Sequence, residues 1–293
     1  MNRREFLGTA AAATVAAAQQ PAPLRILDIH QHTDYSGRPD DVMLKHQDAM
    51  GVSKTILLPA GKWYHLEAGA SGNDRVWEIV RAHPDKYICF ANEVPGEPEA
   101  RQVIEKYLKM GARGIGEQKF FIDCTGKEMS LLCDIAQEYN VPLLLHFQHE
   151  RYNVNFDQFY RTLARYPKVN FIGHAQTWWS NIDLKEEQPV LYPKWKVTAG
   201  GWTDRYLSDY PNMFGDMSAG SGLNAMQRDE GHAREFLKRH QDKLLFGSDC
   251  SDHLATGPKC LGANQIAEIK KLASPEIQKK IFWDNAARII KLD

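Results

Sequence analysis

The chain has 293 residues, 43% of them hydrophobic and 25% charged, with a net charge of −1. That length allows one large core or two smaller ones, and the balanced charge excludes the basic footprint selected by nucleic acid or an anionic membrane surface. No apolar run is long enough to span a bilayer, so a protein acting on a small-molecule substrate is the default expectation.

The first twenty residues differ in kind from the rest. Asn2-Arg3-Arg4-Glu5-Phe6-Leu7-Gly8 leads into an alanine-rich stretch that ends Ala16-Ala17-Ala18. A charged start, a short apolar region and a small-residue ending describe a cleaved export signal over residues 1–20, with an ordinary amphipathic helix as the alternative. The arginine pair before Phe6-Leu7 resembles the twin-arginine type. That resemblance implies export to a periplasmic or extracellular location after folding, often with a cofactor already inserted, and leaves residues 21–293 to build the fold.

From Leu24 onward, short apolar and β-branched runs alternate with amphipathic stretches. The strand candidates cover residues 25–32, 53–59, 86–93, 111–118, 141–147, 169–175, 213–219 and 243–249. Between them lie helix candidates such as 40–50, 73–83, 97–110, 130–139, 156–166 and 229–240. Eight strand–helix units predict an α/β fold, a parallel closed (β/α)₈ TIM barrel in one domain, with an open doubly wound sheet as the alternative.

The first strand ends in Leu27-Asp28-Ile29-His30-Gln31-His32-Thr33-Asp34. Strict alternation along a strand turns Asp28, His30 and His32 to one face, with Ile29 and Gln31 on the other. Two imidazoles on one face can share a metal, although a His-x-His pair also occurs on solvated strand ends. In a barrel the chemistry gathers at the C-terminal ends of the strands. Strand one ends in His30 and His32, strand four in Glu117, strand five in His146, strand six in His174, strand seven in Asp216 and strand eight in Asp249. Satisfied core histidines would not favour one end of every strand, so the pattern points to a metal site.

The five cysteines, Cys89, Cys124, Cys133, Cys250 and Cys260, are odd in number and lack C-x-x-C spacing. They read as buried small hydrophobes, and as neither a disulfide framework nor a zinc knuckle.

The D-x-H-x-H of strand one, the lone histidines ending strands five and six, the Asp ending "LLFGSD" and the tail Asn285-Ala286-Ala287-Arg288 together resemble the amidohydrolase superfamily. Segments such as "QDAMGVSKTILLP" and "YPKVNFIGHA" are similar to its amidohydrolase-related branch, which holds aminocarboxymuconate-semialdehyde and resorcylate-type decarboxylases beside hydrolases. The resemblance implies that His30, His32 and His146 bind a metal, with Asp249 as a further ligand and proton acceptor. It implies that His174 either binds a second metal or orients and polarises the substrate. Zn²⁺ suits such ligands, Mn²⁺ and Fe²⁺ are alternatives, and one ion is expected rather than two. Asp28 is expected behind the ligands, or in a salt bridge. Where two-metal relatives use a carbamylated lysine or a glutamate, strand four offers both Glu117 and Lys119. Glu117 is the preferred ligand against a structural ion pair.

The segment 176–212 carries four tryptophans and Gly200-Gly201, which suits a wall or lid over the pocket, an oligomer interface or packing over the barrel mouth. After strand seven, "SAGSGLNA" (residues 218–225) offers backbone amides to a substrate anion, or simply a helix N-cap loop. The leading function is metal-dependent hydrolysis of a C–O or C–N bond, a lactone or amide, in a small molecule. Non-oxidative decarboxylation is the alternative, and a non-catalytic metal or ligand-binding barrel comes third, because a binding scaffold has no need of a general base.

Overall fold

The computed structural model describes residues 24–61, 69–255 and 257–292, so the leader expected over residues 1–20 lies outside the described residues. In chain order the elements are β1 (Leu27–Gln31), α1 (Asp40–Ala49), β2 (Lys54–Leu57), α2 (Asn73–Ala82), β3 (Tyr87–Cys89), α3 (Ala100–Met110) and β4 (Ile115–Gln118). Then come α4 (Lys127–Tyr139), β5 (Leu143–His146), α5 (Tyr160–Arg165), β6 (Phe171–His174), α6 (Ala175–Ser180), α7 (Trp202–Asp209) and β7 (Met213–Asp216). The chain finishes with α8 (Ala219–Gln227), α9 (Glu230–Arg239), β8 (Leu244–Leu245), α10 (Leu261–Leu272), α11 (Pro275–Lys279) and α12 (Asn285–Ile290).

Every strand pairs in parallel with its neighbour in sequence, in two hydrogen-bonded runs, β1-β2-β3 and β4-β5-β6-β7-β8. Two seams close them into a ring. On one side Ala91 bridges Ile115, with Gly116 N–H donating to the Ala91 carbonyl at 2.9 Å. On the other, Ile29 N–H donates to Phe246 O at 3.1 Å and Asp249 N–H to His30 O at 2.8 Å. The barrel is therefore closed, as the strand spacing predicts.

Alternation along the strands produces two apolar layers. Ile56, Leu144, Ile172, Phe214 and Leu245 fill the barrel interior, where α12 covers one end with Ala286, Ala287 and Ile290. Leu57, Leu143, Leu145, Phe171, Met213 and Leu244 face the helices. Each such fully buried side chain contributes about 1.5–3 kcal/mol of burial free energy, so the two layers hold the ring together. With the apolar interior residues Leu144, Ile172 and Phe214 placed below, the last inward positions of β5, β6 and β7 are left to His146, His174 and Asp216. A register shift between Asp28 and Gln31 breaks the strict alternation expected in β1. Leu27 and Ile29 join the interior layer, and Asp28 turns to Ser248 instead of sharing the face of His30 and His32.

Candidate metal centre

Five strand ends bring His30, His32, Glu117, His146, His174 and Asp249 into one buried cluster. Donor atoms fall within 4.8 Å of one another in three overlapping sets: His30, His32 and Glu117; His30, His174 and Asp249; and Glu117, His146 and His174. His146 thus joins across Glu117, at 2.5 Å from its Nδ1 to Glu117 Oε1.

The hydrogen bonds decide which ring nitrogens are bare. His32 Nδ1 faces the Leu58 carbonyl at 2.9 Å, an acceptor only, so Nδ1 carries the proton. His30 Nδ1 donates to Asp216 Oδ2 at 2.6 Å. His174 Nδ1 faces Asp216 Oδ2 at 3.2 Å and Ser218 Oγ at 3.0 Å, and the Ser218 hydroxyl is itself spent on Asp216 at 2.9 Å. That leaves three Nε2 lone pairs turned inward. His30 Nε2 and His32 Nε2 lie only 3.2 Å apart, and all three stand 3.5–3.9 Å from carboxylate oxygens of Glu117 and Asp249. His146 Nε2 and Asp249 Oδ1 are buried with no hydrogen-bond partner. Lone pairs facing lone pairs and carboxylates repel unless a cation lies among them. Atoms held about 2.0–2.2 Å from a common ion lie roughly 3–4 Å apart, which matches this spacing.

The electrostatics make the same demand. Burial opposes the charge on Glu117, yet His146 and His30 hold its carboxyl well below the usual range. Burial likewise opposes ionisation of Asp249 and Asp216, and the surrounding histidines outweigh it in both. Burial brings His146 down to about 4 and lowers His32, keeping both rings neutral and able to act as ligands. Burial also disfavours a charged His30, but Asp249, Asp216 and Glu117 push its pKa well above the usual value. Positive charge is wanted at that point, whether proton or metal. The donor set fits a divalent ion.

Asp216 does more than the strand-end pattern expressed. One carboxylate receives both His30 and His174 and is clamped in turn by Ser218 N–H at 2.9 Å. It fixes two tautomers at once, the usual task of a carboxylate behind a metal-bound imidazole. Asp28 accepts from His30 N–H at 3.1 Å and from Ser248 N–H at 2.8 Å, tying β1 to the loop after β8. Nothing in the sequence pattern marks Asn153, yet its amide donates to the carbonyls of Gln118 and His146 at 2.6 and 2.8 Å, joining the ends of β4 and β5. No spacing rule announces an asparagine seven residues beyond its strand.

Lys119 falls past the end of β4, with Nζ 5.6 Å above the Tyr152 ring, which meets His146 edge-on at 5.4 Å. The Trp-rich segment is divided. Trp178 and Trp179 are core residues: a Cβ at Gly173 would come within 2.4 Å of the Trp178 ring, and Trp179 Nε1 donates to Asp216 O at 2.8 Å. Trp195 stays partly exposed and bonds Asp183 at 2.9 Å. In the segment 218–225, residues 219–225 open α8 and Ser218 is its N-cap, spending its amide on Asp216, so that amide is not offered to a substrate anion. No helix among the described residues is long and apolar enough to cross a membrane.

Comparison with solved structures returns the same architecture at low identity. An uncharacterised TIM-barrel protein of Bordetella bronchiseptica matches at TM-score 0.66 and 14% identity, covering 92% of this chain and 99% of its own. A probable 2-pyrone-4,6-dicarboxylic acid hydrolase of Acinetobacter baumannii, solved with citric acid bound, matches at TM-score 0.64 and 14% identity, covering 91% and 99%. A 2,6-dihydroxybenzoate decarboxylase of Rhizobium matches at TM-score 0.57 and 14% identity, covering 91% and 98%. A sequence search of curated proteins found no match. The amidohydrolase family model matches residues 28–292, nearly the whole described barrel, and the chain therefore belongs to the amidohydrolase family.

Proposed function

We propose that the protein is a metal-dependent hydrolase that opens a C–O or C–N bond, in a lactone or amide, of a small anionic molecule. The observation that carries the reading is the set of bare Nε2 atoms of His30, His32 and His174 gathered around Asp249, whose Oδ1 is buried and unpartnered. His30, His32, His146, Asp249 and Glu117 hold one ion, Zn²⁺ in preference to Mn²⁺ or Fe²⁺. When bound, such an ion supplies Lewis acidity, polarising a carbonyl and acidifying water. Asp249 takes the proton from the attacking water, because its free Oδ1 is the open acceptor in the cluster. His174, held by Asp216 and Ser218, orients the substrate. The Tyr35 hydroxyl lies against Asp249, and that negative charge with burial keeps the phenol protonated and able to donate.

The hydrolase reading draws support from the Acinetobacter neighbour, whose name specifies a dicarboxylic acid hydrolase and whose structure holds citric acid. The Rhizobium neighbour favours the second reading, in which the same carboxylate serves a decarboxylation. Turnover of the metal-loaded protein against lactones, amides and aromatic carboxylates in isotopically labelled water separates them. Solvent oxygen in the product supports hydrolysis. Release of CO₂ with uptake of a solvent proton replaces it by the decarboxylase, and no turnover with any class leaves the binding barrel. We also propose that residues 1–20 direct export, so Arg3→Lys with Arg4→Lys retains the protein in the cytoplasm; unchanged export refutes this.

A further inference from the structure

Cys250 follows Asp249 in the chain and leaves the barrel mouth for the space beneath α1 and α10. There its Sγ lies 3.8 Å from Cys260 Sγ, and Cys260 Sγ lies 3.5 Å from His46 Nε2. The three donor atoms sit within 4.8 Å of one another, and all three residues are buried. A fourth soft atom, Met50 Sδ, stands 4.0 Å from Cys260 Sγ.

These separations match a coordination polyhedron. With metal–sulfur bonds of about 2.3 Å and metal–nitrogen bonds of about 2.0–2.1 Å, the edges of a tetrahedron are about 3.8 Å between sulfurs and about 3.6 Å from sulfur to nitrogen. A disulfide would need sulfurs at about 2.0 Å, and the cysteines are free. The His46 ring turns its polar edge to the sulfurs, since Nε2 faces Cys260 while its buried Nδ1 has no partner.

The surroundings suit a held ion. Cys260 is the N-cap of α10, where its sulfur accepts from Ala263 N–H at 3.4 Å. A Cβ at position 262 would lie 2.6 Å from Met50 Sδ, so Gly262 keeps open the space that the thioether fills. The Cys250 carbonyl accepts from Arg38 at 2.8 Å and from Gln31 at 2.9 Å. Anything that fixes Cys250 therefore fixes the peptide beside Asp249.

We propose that His46, Cys250 and Cys260 bind a thiophilic cation, Zn²⁺ or Cu⁺, at a structural site separate from the barrel-mouth cluster, with the Met50 thioether as the nearest further donor. Both ions accept thiolate and imidazole, and thioether sulfur favours Cu⁺. Coordination releases the two thiol protons to solvent and leaves His46 neutral. The ion fastens Cys250 and Cys260 to α1 and so steadies Asp249.

The test uses the full chain purified under reducing conditions, stripped of resident metal with a chelator and then loaded with Co²⁺. Wild type is expected to show a thiolate-to-cobalt charge-transfer band, which nitrogen and oxygen ligands cannot produce. The band persists in His146→Ala and disappears in Cys260→Ser and His46→Ala. Elemental analysis of the protein as isolated then shows one equivalent of zinc or of copper that Cys260→Ser lacks, and the element distinguishes the two ions. Wild-type protein with no such band overturns the proposal whatever the variants do. A Cys250–Cys260 disulfide found by mass spectrometry in that protein overturns it equally.

Discussion

Asp249 and Cys250 are neighbours in the chain and serve opposite environments. Asp249, at a left-handed φ of 42°, turns its carboxylate to His30, His32 and His174 in the barrel mouth. Cys250 turns its sulfur to Cys260 and the side of His46 on the outside of the barrel. The inner cluster is built from oxygen and nitrogen donors on five strand ends, and retains unpartnered acceptor atoms. The outer one is built from sulfur and nitrogen donors on a helix, a loop and a helix cap. Unpartnered acceptors beside bare ring nitrogens suit chemistry, whereas a ring of soft donors enclosed by packing suits a structural role.

If that contrast is right, the two clusters respond separately to mutation. Removing an imidazole from the inner set has the greatest consequence: His30→Ala is expected to lose the mouth metal on dialysis and turnover with it, while the cobalt–thiolate band survives. Elemental analysis beside the spectrum checks both, and full metal retention by both His30→Ala and His146→Ala would show the inner ligand set to be wrong.

Asp249→Asn keeps a weakly coordinating oxygen but cannot take a proton at neutral pH. Turnover should fall by about 10²–10⁴-fold with the metal retained. Normal turnover with normal metal content would remove Asp249 from the mechanism.

Behind the ligands, Asp216→Asn leaves His30 and His174 without the carboxylate that sets their tautomers. Loss of such a partner costs about 10–100-fold in metal affinity, measurable by competition with a chelator. Unchanged affinity would reduce Asp216 to a strand cap.

The mildest change tests the outer packing. Gly262→Ala presses a methyl group against Met50 Sδ and Ser248 Cβ, at 2.6 and 2.8 Å before relaxation. Overpacking of this kind costs about 1–3 kcal/mol in denaturant unfolding, and the mouth metal should stay in place. No loss of stability would mean that the space around Met50 is loose.

The amino-acid order by itself determined the barrel and the membership of its mouth. Apolar runs ending in His146, His174, Asp216 and Asp249 carry both facts, because a parallel strand has one chemical end and barrel closure brings all eight such ends together. The tertiary structure decided what alternation could not. A register shift in β1 sends Asp28 to Ser248, one carboxylate of Asp216 serves two histidines, and Trp178 fills the space above Gly173. It also joined His46 to Cys250 and Cys260 across more than two hundred residues. Strand periodicity reports only which way a side chain points along its own element. Which side chain it meets is set by the packing of α1 and α10 against the barrel, and no local pattern encodes that.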